Sequence, residues 1–239
     1  MNKSEISLLN LEWDTAFFGV SSAKVILHDS LKEKDWNKIQ KKIEEFQYVS
    51  IVNENSNVVN SKLISEHTNS FLVDTNIQFI KKVKMETPLP SNITLHQALE
   101  KNDQILELAN FRFSKFTEDP ELAKRRGNEV YYHWIVNSFN RKDKFFAISR
   151  SKEGNINGFA LYSFTEKECL IELIAVSPQI IGSGVGSDLF KAIEYATFKN
   201  RMDEIKVGTQ MLNLNAINFY HKVGCRQVAC HQIYHLWNI

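Results

Sequence analysis

Residues 180–190 read IIGSGVGSDLF, three glycines alternating with small residues before an amphipathic run. Glycine at every second position suits a backbone that needs positive φ or that another group approaches closely. The N–H groups of a helix start have no intrahelical partner, and the macrodipole makes that end partly positive. A phosphate can therefore rest on such a turn without meeting Cβ atoms. The loop follows the apolar strand CLIELIAV, and together they read as a diphosphate cradle. Its donors are the N–H groups of Gly182, Ser183, Gly184, Val185 and Gly186. Ile180 and Ile181 lead into it, as contact or as packing. Phe190 lies a turn or two into the helix, lining a ligand channel or filling the core. No lysine follows Gly186 at P-loop spacing. A dinucleotide site wants an acid at the end of the next strand, whereas Asp203 and Glu204 precede EIKVGTQ.

Glu172 is a carboxylate inside the apolar run CLIELIAV. Period-two alternation places it with Leu170, Ile174 and Val176. Among such neighbours its pKa would rise, which suits a general base. A structural ion pair and a solvated strand face are the other readings, and water can carry the proton instead.

The elements that would hold these groups follow from periodicity. After the strand at 169–176 and the glycine loop come a helix over 187–200, a strand over 204–210, a helix over 215–224 and a strand over 226–237. Strands at 144–150 and 158–164 precede them, and the three-strand run suggests an antiparallel meander. Helices are expected over 103–113 and 121–139, with Asp119 capping and Pro120 at the first helical position. Nearer the N-terminus, strands at 23–28 and 48–53 flank a helix over 31–46 with Trp36, Ile39, Ile43 and Phe46 on one face. A short helix at 56–66 and a strand at 71–84, bent or bulged in its middle, complete that half. Pro88 and Pro90 fit neither a helix interior nor a central strand. They mark a boundary between a small α/β domain, 1–87, and a second domain, 88–239.

The bulk composition excludes several classes. The chain has 239 residues, is 43% hydrophobic and 24% charged, and carries a formal net charge of +1. That is an ordinary globular profile without the basic excess of a nucleic-acid or anionic-membrane binder. The basic clusters at 81–84 and 124–126 read as solvated faces. No apolar run approaches the roughly 18 residues of a membrane span, and the first residues lack the apolar core of a signal peptide. Cys169, Cys225 and Cys230 are odd in number and not at metal spacing, as expected of reduced thiols in the cytoplasm with no metal site.

Two signatures in this order carry a resemblance. VSPQIIGSGVGSDLF resembles the acetyl-CoA pyrophosphate loop of the Gcn5-related N-acetyltransferases, and NLNAINFYHKVG resembles their second motif, N-x-x-A-x-x-(F/L)-Y-x-x-x-G-F. Ile181 stands where that family usually has Arg or Gln, and Cys225 where Phe is usual. More narrowly, LEWDTAFFGVSSAKV and VGTQMLNLNAINFYHKVG are similar to the dTDP-fucosamine acetyltransferases, which acetylate the 4-amino group of dTDP-4-amino-4,6-dideoxygalactose for a bacterial surface polysaccharide. The resemblance implies an acyl-CoA N-acyltransferase fold, a mixed and splayed central sheet with flanking helices, after a small α/β domain. It implies acetyl-CoA as cosubstrate, direct transfer without an acyl-enzyme, and a nucleotide-activated amino sugar as acceptor. A homodimer is implied by resemblance only. Another small-molecule or protein amine, or a coenzyme-binding protein without turnover, are the competing readings.

The same resemblance assigns residues. The Asn213 amide would meet the pantetheine arm, leaving Asn215 to cap the next helix. Tyr220 would be the general acid for the departing thiolate. A phenol near about 10 and a thiol near about 8.5 make full transfer uphill by roughly 2 kcal/mol in water, so Tyr220 would act through a hydrogen bond that tightens as charge grows on sulfur. The acceptor pocket would come from 111–134, with Arg112 and Lys115 neutralising a diphosphate and Phe116, Tyr131 and Tyr132 stacking on base or sugar. Trp13, Phe17 and Phe18 would pack between the two domains.

Overall fold

In the computed structural model residues 5–109, 111, 113–166 and 168–239 are described. The N-terminal half runs β1 (Ile6–Asn10), α1 (Glu12–Phe18), β2 (Ser22–Leu27), α2 (Glu33–Ile43), β3 (Tyr48–Asn53), α3 (Val58–His67) and β4 (Phe71–Lys82). It continues with β5 (Ile93–Gln97), α4 (Asp103–Glu107), α5 (Lys115–Glu118), α6 (Pro120–Lys124) and α7 (Val130–Val136). The remainder is β6 (Phe145–Arg150), β7 (Ile156–Phe164), β8 (Cys169–Val176), α8 (Val185–Lys199), β9 (Glu204–Gln210), α9 (Leu214–Lys222) and β10 (Arg226–Trp237).

Local chemistry accounts for many of these bounds. On α2, Trp36, Ile39 and Ile43 are buried, as their spacing requires. Asn57 caps α3 by accepting from the N–H groups of Val59 and Asn60. Asp119 caps α6 by accepting from Glu121 and Leu122, with Pro120 at the first position. The two long helices expected over 103–113 and 121–139 are instead short pieces. Between α6 and α7, Arg126 adopts φ 68°, which ends one helix before the next begins. Gly127 follows, so close to α5 that a Cβ there would sit 2.0 Å from the Phe116 carbonyl oxygen. β1, α1 and β5 lie in stretches whose periodicity is too short to read.

The strands form one ten-stranded sheet in the order β1-β2-β3-β10-β4-β9-β8-β7-β6-β5. The boundary expected at 87/88 falls in the β4–β5 connection, yet the sheet continues across it. β10 runs antiparallel to both β3 and β4, and β4 runs antiparallel to β9. Each strand thereby satisfies the backbone edge of the other half. β6, β7 and β8 make the antiparallel meander. Four apolar clusters hold the layers. Leu189, Phe190 and Ile193 of α8 pack with Phe79, Ala160 and Tyr162. On the opposite face Ile105 and Ile135 pack with Phe146, Phe159 and Leu161. Trp36, Ile43 and Ile64 pack with Ile51 and Leu236. Phe18 meets Tyr48, Leu122 and Val130, with Phe17 and Phe116 alongside.

Three irregularities place the site. β8 and β9 are parallel but pair only from Cys169↔Ile205 to Ile171↔Val207, after which they separate. In β8 the register jumps from Ile171↔Tyr162 to Leu173↔Leu161, so Glu172 is the extra residue of a bulge. In β4 it jumps from Leu72↔Tyr234 to Asp74↔Ile233, which leaves Val73 as the extra residue. Bulges turn side chains onto a different face from the one alternation assigns.

Candidate active site

Where β8 and β9 part, a cavity of about 750 Å³ opens. That is within the range of small-molecule sites, roughly 300–1,000 Å³. Its walls include residues 171–176 of β8, 207–210 of β9, Ile180, Ile181, Gly182, Gly184, Gly186 and Ser187 of the glycine loop and α8, and Asn213 and Tyr220. Past Ile171 the β9-facing backbone edge of β8 has no strand partner, so its amides are available to a ligand.

The glycine loop turns sharply into an uncapped helix start. Gly182 and Gly184 have φ of 91° and 98°, a region costly for other residues. Gly184 is the N-cap of α8 and makes no side-chain cap, and the first intrahelical bond is from Asp188 N–H to the Gly184 carbonyl, 3.0 Å. The N–H groups of Val185, Gly186 and Ser187 therefore keep the helix's positive end open. Ser187 had no mark in the sequence. Ser183 differs from expectation, because its N–H donates to the Ile180 carbonyl at 3.1 Å and closes the turn. Val185 offers only its backbone, since its side chain packs on the core. Ile181 is 73% exposed beside the cavity. Phe190, in contrast, is fully buried in the core and does not line the cavity, where Phe219 of α9 stands instead.

Asn213, not Asn215, caps α9. Its Oδ1 accepts from Ala216 N–H at 3.2 Å, and its Nδ2 is left for the cavity. Asn215 is inside the helix. Tyr220 is buried between Phe79 and Phe219, with ring centroids 5.4 Å from each. Its hydroxyl has no side-chain partner among the described residues, and burial pushes its pKa well above that of an ordinary phenol. It thus stays protonated and can donate.

Glu172 lines the cavity, but the bulge turns it from the Ile174 face to the α7 side. Its carboxylate pairs with Lys144, accepts from Ser163 Oγ at 2.6 Å and from Trp134 Nε1 at 3.0 Å. The ion-pair reading is the one its surroundings match.

Lys115, Phe116 and Tyr131 also line the cavity, together with Phe111, Phe113, Trp134, Asp74 and Asn76. Lys115 is pushed down to about 8 by burial, with Lys24 adding to this and Asp14 and Asp74 opposing it. Tyr131 accepts from Gln210 Nε2 at 3.2 Å. Tyr132 does not reach the cavity; it is exposed and meets the edge of His133. Arg112 lies outside the described residues. Asp74, Asn76 and Gln210 were missed by the sequence reading. A lone acid in FLVDTNIQF was the available signal, hidden because a mid-strand Asp ordinarily faces water.

None of the three cysteines lines the cavity. Burial pushes Cys169 and Cys225 up to about 12 each, so neither is a ready nucleophile. Among the described residues no cluster of three or more His, Cys, Asp or Glu could hold a metal ion, and no helix is long and apolar enough to cross a membrane.

A mixed sheet splayed at two parallel strands, with a bare helix N-terminus beside the gap, is the fold of known acetyltransferases. The crystal structure of a GCN5-related N-acetyltransferase from Sphaerobacter thermophilus matches 98% of this chain and 76% of its own, with a TM-score of 0.62 at 14% identity. A functionally unknown conserved protein from Staphylococcus epidermidis ATCC 12228 matches 100% of this chain and 94% of its own, with a TM-score of 0.69 at 14% identity. Residues 102–225 match the acetyltransferase (GNAT) family, and the chain belongs to it. By sequence it is 26% identical over 137 residues to the spore coat polysaccharide biosynthesis protein SpsD of Bacillus subtilis (strain 168). That stretch covers 56% of this chain and 47% of SpsD, so the match spans about half the length of that relative.

Proposed function

We propose that the protein transfers acetyl from acetyl-CoA directly to the amine of a nucleotide-activated amino sugar, a dTDP-4-amino-4,6-dideoxyhexose such as dTDP-fucosamine, in surface polysaccharide synthesis. The observation that carries the transfer is a single cavity lined both by the open N-terminus of α8 and by the buried Tyr220 phenol. The residues fit the coenzyme. Positive φ at Gly182 and Gly184 turns the loop around the anion, and Val185, Gly186 and Ser187 offer N–H groups to a diphosphate. The free edge of β8 and the Asn213 amide suit a pantetheine arm with its alternating amide donors and acceptors. When bound, acetyl-CoA supplies an activated acyl group and a thiolate leaving group.

The chain's own part is to align and to manage protons. The N–H groups on the β9-facing edge of β8 past Ile171, which has no strand partner, would polarise the acyl carbonyl. Tyr220 donates to the sulfur as charge develops there. On the acceptor side Phe116 and Tyr131 offer faces for stacking, and Lys115 offers a cation for phosphate. SpsD bears a name from polysaccharide biosynthesis, which supports the choice of a sugar acceptor. The test is coenzyme A release with dTDP-4-amino-4,6-dideoxygalactose, glucosamine and spermidine. Preference for the nucleotide sugar is the expected result. Turnover of spermidine or glucosamine alone would reassign the acceptor, and no turnover of any amine would overturn transfer.

A further inference from the structure

The cavity is lined by a second carboxylate, one that no other side chain engages among the described residues. Asp74 lies on β4, in the N-terminal half, directly after the extra residue Val73. It is half-buried, lines the cavity and accepts from the Thr75 backbone N–H, but no other side chain hydrogen-bonds to it or pairs with it within 4 Å among the described residues. Glu172, by contrast, is occupied by Lys144, Ser163 and Trp134. A half-buried carboxylate answered by one backbone N–H alone still holds a charge that a ligand cation would stabilise. The bulge aims it into the same space as Phe116, Tyr131 and Trp134.

We propose that Asp74 binds the acceptor's ammonium group and takes its first proton, so that the N-terminal half supplies a catalytic residue to the acetyltransferase. This rests on the transfer reading above. The acceptor class it implies is a primary alkylammonium on a ring that packs against the aromatic wall. The proton count closes. R–NH3+ gives one proton to the Asp74 carboxylate, and the freed lone pair forms the N–C bond as the C–S bond breaks. The second amine proton leaves with bulk water, the thiolate is protonated with help from Tyr220, and Asp74 returns its proton to solvent. The sum is amine cation and thioester to amide, thiol and one proton.

The surroundings tune the carboxyl for this task. Burial raises it to about 6, Lys115 and the hydrogen bond from the Thr75 backbone oppose that, and Glu118 adds to it. Tyr131 of α7 is also in its field, and behind Lys115 stand Asp14 of α1 and Lys24 of β2. An aspartate of ordinary acidity would hold a proton from an amine near about 8 roughly ten-thousandfold too weakly, whereas at about 6 the handicap is roughly a hundredfold.

The test compares wild type, Asp74→Asn and Asp74→Glu by thiol release from pH 5 to 9, using whichever of the three amines above wild type turns over best, with acetyl-CoA affinity measured by calorimetry. Asp74→Asn should lose about 100-fold or more in kcat/KM for the amine at pH 7 while binding acetyl-CoA within about twofold of wild type. Its acid limb near pH 6 should vanish, with rate recovering toward pH 9 as the amine deprotonates unaided. Asp74→Glu should restore at least about a tenth of the activity. Asn at this position within about threefold of wild type, with the same acid limb, would overturn the proposal but leave acetyl transfer standing. Parallel loss of acetyl-CoA affinity would mark a structural role and also overturn it. A wild type that binds acetyl-CoA and acetylates none of the amines would overturn both.

Discussion

Tyr220 and Glu172 show how little a residue's type says before its neighbours are known. Both are ionisable side chains in apolar runs. Tyr220 lines the cavity with a hydroxyl that has no side-chain partner among the described residues, whereas Glu172 meets Lys144, Ser163 and Trp134. Tyr220→Phe should therefore bind acetyl-CoA as wild type does and lose about 100-fold or more in kcat, read by calorimetry beside steady-state rates. Glu172→Gln should act on stability instead. Removing one partner of a buried pair costs roughly 3 kcal/mol, visible as a lower urea midpoint, while the pH dependence of turnover keeps its shape. The roles differ because of the bulge at 172, and an inserted strand residue leaves no trace in an apolar run. Asn213 was legible from its motif, but the sequence favoured Asn215, immediately before the apolar run, as the cap of α9, and Asn213 takes that place instead.

At the scale of elements, the sequence was clearest where glycine and apolar strands adjoin. The loop at 182–186 needs positive φ at Gly182 and Gly184, and α8 starts immediately after. Gly184→Ala should lower stability by about 1 kcal/mol, a few degrees in Tm, because alanine resists this φ. Coenzyme A affinity should fall further than that, about tenfold or more, since the proposed diphosphate contact depends on the shape of the loop. Thermal melts with and without coenzyme A separate the two effects. The splay of β8 from β9 was less legible, because both strands read as ordinary apolar runs to their ends. Short helices were least legible of all. The break between α6 and α7 comes from a positive φ at Arg126 and from the close approach of Gly127 to α5, the latter a matter of tertiary contact.

For the whole molecule, the question is what makes two halves act together. The order of the sheet answers part of it, with β10 paired to β3 on one side and to β4 on the other. A buried network answers the rest. His235 Nδ1 donates to Asp119 at 2.7 Å, and its Nε2 accepts from the Tyr48 hydroxyl at 2.9 Å. Trp237 Nε1 donates to the same carboxylate at 3.0 Å. Burial lowers His235 to about 4, against its ordinary 6.5, despite the hydrogen bond to Asp119. The neutral ring is thus the folded form, and its contribution is complete above pH 6.5 and lost as pH falls toward 4. The stability gap between wild type and His235→Asn should accordingly shrink across that window in denaturant titrations. No periodicity foretells this joint, whose members lie far apart along the chain. The proposed cradle of the second half is tested most directly by titrating wild type with coenzyme A in a calorimeter. One saturable site per chain, weakened by Gly184→Ala and indifferent to Tyr220→Phe, is the expected result. A folded wild type that gives no binding heat at millimolar coenzyme A would contradict it.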